Sequence, residues 1–337
     1  MRPPRSVGAA LLAGLLSLAA LGPVVLGPYT LIVLTSALVL AMACLGLNLL
    51  LGGTGSLSLG HAAYFGLGSY AGAFLFTFGD STSLETHVVA GMLAATIAAA
   101  LIGRVCVRAT GMSFTILTLA FAQVVHSLFV GGAVFLPFGD TGKGYYLVGH
   151  GGLYIPRLTL LGHLFPPERF TVVLYWVVLA AFALVAAVLH RLARSPFGLA
   201  LRAIRDNDVR AAFVGLDVPR YRWAAFVVSG AVVGLAGALG GQLDRQITPE
   251  QLHWTFSAHL VVATVLGGTR HFWGPVVGAF AVVLLREIAL RHTGYHDALL
   301  GLALVLVILA APRGLAGLGA AVVGVVTRGR APGAPAG

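Results

Sequence analysis

From Ser6 through Gly79 the chain carries no Asp, Glu, Lys or Arg. A water-soluble domain cannot run that far without charge, because roughly 25% of its residues are normally ionised to keep its surface wet. Here only 9% are charged and 58% are hydrophobic. The solvent that suits such a surface is the bilayer, where every backbone polar group must be bonded internally and only helices or closed barrels span. Most apolar stretches are roughly twenty residues long and do not alternate in short segments, which selects helices over a barrel.

Apolar windows predict spans at 6–27, 29–51, 61–78, 87–105, 112–134, 170–190, 223–243, 255–267, 274–291 and 297–311. Two windows are short and 52–60 is a glycine-rich join, so the expected fold is an all-α polytopic membrane protein with about eight to ten transmembrane helices. Met1–Gly22 also has the form of a signal peptide, with Arg2 and Arg5 before an apolar run. The run continues past Pro23, which favours an uncleaved first span.

With the N-terminus inside, ten crossings place Arg104, Arg108, residues 191–222 and Arg313, Arg328 and Arg330 in the cytoplasm, as the positive-inside rule requires. They leave 135–169 outside, where Asp140, Lys143, Arg157, Glu168 and Arg169 nearly balance. Arg286 and Arg291 fall at an outer end, to snorkel or to pair with Glu287. The expected organisation is one transmembrane domain, 1–312, and a cytoplasmic tail, 313–337, with a disordered Gly/Pro/Ala end. The net charge of +10 is then a topology signal and not a nucleic-acid surface.

Chemistry-bearing motifs are scarce. Cys44 and Cys106 lie in apolar stretches without metal spacing, as small core residues do. No H-E-x-x-H and no nucleophile elbow occurs, and Gly142-Lys143 lacks the earlier glycine of a P-loop, Pro137 standing there. No catalytic or metal site is expected, and ATP hydrolysis by that route would need another polypeptide. Small-residue pairs, Gly68/Gly72, Gly230/Gly234, Gly237/Gly241 and Gly274/Gly278, read mainly as close helix packing.

Leu51-Gly-Gly-Thr54 and Leu266-Gly-Gly-Thr269 match, each ahead of a small-residue helix. They fit two related halves with interrupted helices, and equally a coincidence in a glycine-rich chain.

Three segments hold the informative polar residues. Thr54, Ser56, Ser58, Gly60 and His61 interrupt an apolar stretch. Non-helical backbone at membrane depth is tolerated where protein or a water-filled cavity covers it, so they read as an unwound segment lining a pathway, or as a surface turn. Thr115 and Thr118 share a helical face and either line the same pathway or bond their own backbone.

The third segment, 191–222, holds seven Arg and three Asp in 32 residues, between two charge-free walls of 21 residues. Ser195-Pro196 suits a helix start, Gly215 a helix end, and Leu199, Ala203, Ile204 and Val209 an apolar stripe opposite Arg202, Arg205, Asp206 and Arg210. A short helix–turn–helix at the membrane surface is expected, available to a cytoplasmic partner.

Ser195-Pro-Phe-Gly-Leu-Ala-Leu-Arg-Ala-Ile-Arg-Asp-Asn207, with Ala211-x-x-x-Gly215, resembles the cytoplasmic loop of branched-chain amino acid ABC transporter permeases of the LivM-like type. Gly55-Ser-Leu-Ser-Leu-Gly-His61, Thr118-Leu-Ala120, Gly234-Leu-Ala-Gly-Ala-Leu239, Thr248-Pro-Glu250 and Gly267-Gly268 through Gly274-Pro-Val-Val-Gly-Ala279 are similar in the same order. Lys143 and Thr269-Arg270-His271 stand where the family commonly has glycines.

The resemblance implies a permease subunit of an ATP-driven importer for branched-chain or hydrophobic amino acids, in a bacterial cytoplasmic membrane. It implies a second homologous permease, two cytoplasmic ATPase subunits carrying ATP and Mg, an extracytoplasmic substrate-binding protein, and no cofactor on this chain. Ser195, Pro196, Phe197, Gly198, Arg202, Ala203, Arg205, Asp206, Asn207, Ala211 and Gly215 would form the ATPase-coupling site, small residues entering a groove and Arg202 and Arg205 pairing with acids at its rim. Urea or short amides are the alternative cargo. A stand-alone secondary transporter or channel is the alternative class, disfavoured because no acid lies well inside a span.

Overall fold

The computed structural model describes residues 27–79, 81–130, 152–155, 158–160, 162–292, and 298, 301, 302, 305 and 314–317. The first expected span, nearly all of the last, most of the external segment and the end of the tail lie outside the described residues.

Ten α-helices and one short 3-10 turn are present among the described residues. They are α1 (Pro28–Leu51), α2 (His61–Gly79), α3 (Leu84–Cys106), α4 (Gly111–Val130), α5 (Pro167–Arg194), α6 (Pro196–Asp206), α7 (Asp208–Phe213), α8 (Val218–Asp244), α9 (Trp254–Gly267) and α10 (Gly274–His292). The fold is all-α and polytopic: α1, α3, α4, α5 and α8 are each long and apolar enough to cross a membrane. The eight expected windows between 29 and 291 each coincide with one helix.

Helix α8 is the centre of the bundle and packs on α3, α2 and α1. Every fourth residue of α3 is small and buried, in the series Gly91, Ala95, Ala99 and Gly103. That row meets Gly234, Gly230 and Phe226 of α8. Between α2 and α8, a methyl group at Gly68 would strike the Gly234 carbonyl, and one at Gly237 the Phe65 carbonyl. The helices therefore touch backbone to backbone, the geometry small residues permit in a bilayer. The opposite face of α3, Val89, Leu93, Ile97, Leu101 and Val105, is exposed and wholly apolar, as a lipid-facing surface must be.

The joins between the long helices gather at two ends. One end holds the 52–60 join, residues 107–110, α6 and α7, and the 268–273 turn, and it collects most of the arginines among the described residues. There, the Gly52 Cβ position lies 2.6 Å from the Thr269 carbonyl, so the two Leu-Gly-Gly-Thr motifs meet. Each closes the C-terminal end of a helix, α1 and α9, ahead of a short join to the next.

The other end has a feature absent from the expectations. Leu153–Tyr154 pairs antiparallel with Gln246–Ile247, and Ile155, Leu158, Ile247 and Leu252 are fully buried there with Tyr70 and Phe129. Arg245, left-handed at φ 59°, ends α8, and its carbonyl accepts from Ile155 N–H at 2.8 Å. Glu287 accepts the Tyr29 hydroxyl at 2.7 Å, an engagement not foreseen beside the expected pairing with Arg286 or Arg291.

Candidate functional site

At the arginine-rich end α1 stops because two glycines follow it. Gly52 and Gly53 N–H both donate to the Asn48 carbonyl, and Thr54 closes on Leu50 O through its N–H and its hydroxyl. Gly55, at φ 74°, then turns the chain out of the helix. The backbone from 55 to 60 has no helical partners, so its polar groups need others.

Helix α4 supplies them. Thr115 donates its hydroxyl to Leu57 O at 2.8 Å, and the Thr118 hydroxyl accepts from Leu59 N–H at 3.2 Å while donating to Thr115 O at 2.9 Å. Ser58 accepts from Gly60 N–H at 3.3 Å. At Gly60 a methyl group would press on the Thr118 carbonyl at 2.9 Å, so the join and α4 need that glycine to lie so close. The two threonine-bearing segments, separate in sequence, form one unit.

His61 opens α2 and is fully buried. Its Nε2 lies 2.8 Å from the Ser229 hydroxyl, which donates its proton to Gly46 O at 2.6 Å. Ser229 has one proton to give, so His61 Nε2 is the donor in that bond. Ser257 of α9 accepts the Ala62 N–H at 2.7 Å, satisfying one of the unpaired donors at the buried start of α2. Thr54, Ser58, Gly60, His61 and Thr118 are all buried, Ser56 and Thr115 are half-buried, and Gly55 is exposed.

Beside the join lie α6 and α7. Ser195 caps α6 through Gly198 N–H, with Pro196 at its first position. Asn207, extended at φ −165° and ψ 106°, ends α6 and caps α7 by accepting from Arg210 N–H at 2.8 Å. Gly215 is left-handed at φ 87° just after α7. Phe197 stacks on Tyr221, and Gly198 fits so tightly that a methyl would strike Ala193 O.

The expected stripe is corrected here. Leu199, Ala203 and Val209 point outward, and the inner face is Gly198, Ala200, Leu201 and Ile204 with Ala211 behind it. The phase breaks at Asn207, so Val209 cannot continue a stripe begun on α6. Ala211 packs with Ile204 and Val218 and is closed to any partner. The two arginines expected at a rim both bond backbone carbonyls of this chain: Arg202, still exposed, donates to Ala193 O at 2.8 Å, and the half-buried Arg205 turns inward and donates to Gly52 O at 2.6 Å. Asp206 and Gly215 remain exposed.

Among the exposed Arg202, Asp206 and Arg210, the element also turns four large apolar side chains outward, Leu199, Val209, Phe213 and Val214, with Phe213 86% and Val214 77% exposed. The Phe-Val pair inside a basic loop was the signal available for this. A groove of about 550 Å³ runs between this element and the joins, bounded by Thr54, Gly55, Gly111, Arg205, Arg210 and Phe213. Among the described residues no cluster of His, Cys, Asp and Glu could hold a metal ion.

A family model described as branched-chain amino acid transport system, permease component, matches residues 29–311, which takes in every helix just described but the first residue of α1. The chain belongs to this permease family. The permease is 28% identical over 317 residues to the high-affinity branched-chain amino acid transport system permease protein LivM of Escherichia coli, covering 90% of this chain and 74% of that one. The Salmonella typhimurium LivM is 29% identical over 306 residues, 83% of this permease and 68% of the relative. LivH of Escherichia coli, also named a permease protein of that system, is 24% identical over 293 residues, 82% and 91% of the two chains. No solved structure matches the permease.

Proposed function

We propose that this permease is the membrane subunit of an ATP-driven importer for branched-chain and other hydrophobic amino acids. It works with a second, related permease, two ATPase subunits that carry ATP and Mg, and an extracytoplasmic binding protein. The observation that carries this is the apolar face of Leu199, Val209, Phe213 and Val214, exposed on a charged loop outside any span. Such a face in water is costly unless a partner covers it. The positive-inside rule supports a cytoplasmic arginine-rich end, the side on which ATPase subunits would reach this face.

The 52–60 join forms the cytoplasmic side of the substrate pathway. Gly55 and Ser56 front it, while Thr54, Ser58, Gly60, His61, Thr115 and Thr118 hold its shape. Amino-acid cargo is supported by the likeness to LivM and LivH, permease proteins of a branched-chain amino acid transport system.

The direct test is reconstitution with candidate ATPases, second permease and binding protein from the same source. ATP-dependent leucine uptake into proteoliposomes is expected. Uptake of urea in place of leucine would change the cargo, and uptake driven by an ion gradient without ATP would overturn the class. For the join, Ser56→Cys should react with a charged thiol reagent added from the cytoplasmic side and Ser58→Cys should not. Cys44 and Cys106 are fully buried and give little background. Equal labelling of the two positions would remove the pathway assignment.

A further inference from the structure

Helix α6 touches the join in two physically different ways. Leu201 faces Gly53, its Cδ1 3.5 Å from where a β-carbon would stand. Arg205 Nη1 donates to the Gly52 carbonyl at 2.6 Å, and its Cγ lies 3.3 Å from the Gly55 Cβ position. An apolar contact resists approach but separates freely, since each atom pair contributes little. A charge-assisted hydrogen bond resists separation as well. Leu201 can therefore push the end of α1, and Arg205 can pull it.

The Gly52 carbonyl is a fitting handle. It lies just past the C-terminus of α1, where carbonyls lack helical partners and the helix dipole is negative, so a cation is favoured there. Movement of that carbonyl moves the join, whose far side is fixed to α4 by Thr115 and Thr118 and to α9 and α8 by Ser257 and Ser229. The same turn adjoins Thr269 of the second Leu-Gly-Gly-Thr motif.

We infer that Arg205 is a positioning residue for transport: it transmits the movement of the partner-docking element to the substrate pathway by holding the Gly52 carbonyl, and takes no part in docking itself. This rests on the proposed ATP-driven import. The docking face and Arg205 lie on different sides of the element, so loss of one function need not carry the other with it.

The test uses the complete transporter in proteoliposomes and reads three quantities: ATPase subunits retained on the tagged permease, ATP hydrolysed, and substrate taken up. Arg205→Gln should retain its ATPases and hydrolyse ATP, while substrate moved per ATP falls at least tenfold. Arg205→Lys, which keeps a shorter cationic donor, should restore part of that ratio. Should the Gln variant fail to reach the membrane, Arg205→Met, which keeps the stem against Gly55, is read in the same way. A wild-type ratio in the uncharged variant overturns the inference, and so does loss of the ATPases, which would make Arg205 a docking residue. Failure of the import reading would show separately, as a wild-type complex whose uptake does not depend on ATP.

Discussion

Phe213→Asp is expected to strip the ATPase subunits from the purified transporter while leaving the permease folded. The side chain is 86% exposed, so its loss removes almost nothing from the fold. Its neighbour Val214 and the outward Leu199 and Val209 complete an apolar patch that water penalises until it is covered. Central aromatic anchors at interfaces typically cost about 2 kcal/mol or more when truncated, roughly thirtyfold in Kd, and a buried carboxylate without a partner adds to that. The measurement is the amount of ATPase retained on tagged permease in detergent, with substrate-stimulated hydrolysis beside it. Full retention would mean that the patch faces lipid or another chain. Ala211→Trp would lose coupling too, but as a folding defect, because Ala211 is locked between Ile204 and Val218.

The second large effect is on stability. Gly237→Ala should eliminate folded permease, since the added methyl falls on the Phe65 carbonyl of α2. Rigid backbone cannot swing aside as a side-chain tip can, so the helices must separate and lose contact along their length. Overpacking usually costs about 1–3 kcal/mol, and a clash of two backbones belongs at or above the top of that range. The monodisperse fraction of detergent-extracted protein after heating reports it. Gly79→Ala, with nothing within 4 Å of the new methyl, is the matched control and should melt like wild type. Equal melting of the two variants would disprove the close approach of α2 and α8.

The spans were legible because charge placement and apolar length are local properties. Their ends were less so. Helix α5 continues through Arg191 to Arg194, and α8 starts at Val218, capped by Asp217 through Arg220 N–H at 3.2 Å. A charge marks where the membrane stops, and a helix can run on past it into water.

In the candidate site, Ser195, Pro196 and Gly215 announced themselves by residue type. Which way Leu199, Arg202 and Arg205 point did not follow from periodicity. Asn207 breaks the helix, and the inner side of α6 is set by α5, α8 and the end of α1, which are distant in sequence. The hydroxyls of Thr115 and Thr118 are likewise committed to the 57–59 backbone, a partnership only the folded chain can display. The ribbon joining Leu153–Tyr154 to Gln246–Ile247 left no trace in the sequence, because two-residue strands have no period to detect.

The contact between Gly52 and Thr269 has a mechanical corollary. Helices α1 and α9 end at the same spot, and a side chain larger than hydrogen would keep their turns apart. A tilt that drives the α1–α2 turn toward the turn joining α9 to α10 must therefore push that turn ahead of it, while the contact gives way when the two move apart. The two helix pairs are thus coupled in one direction of travel only.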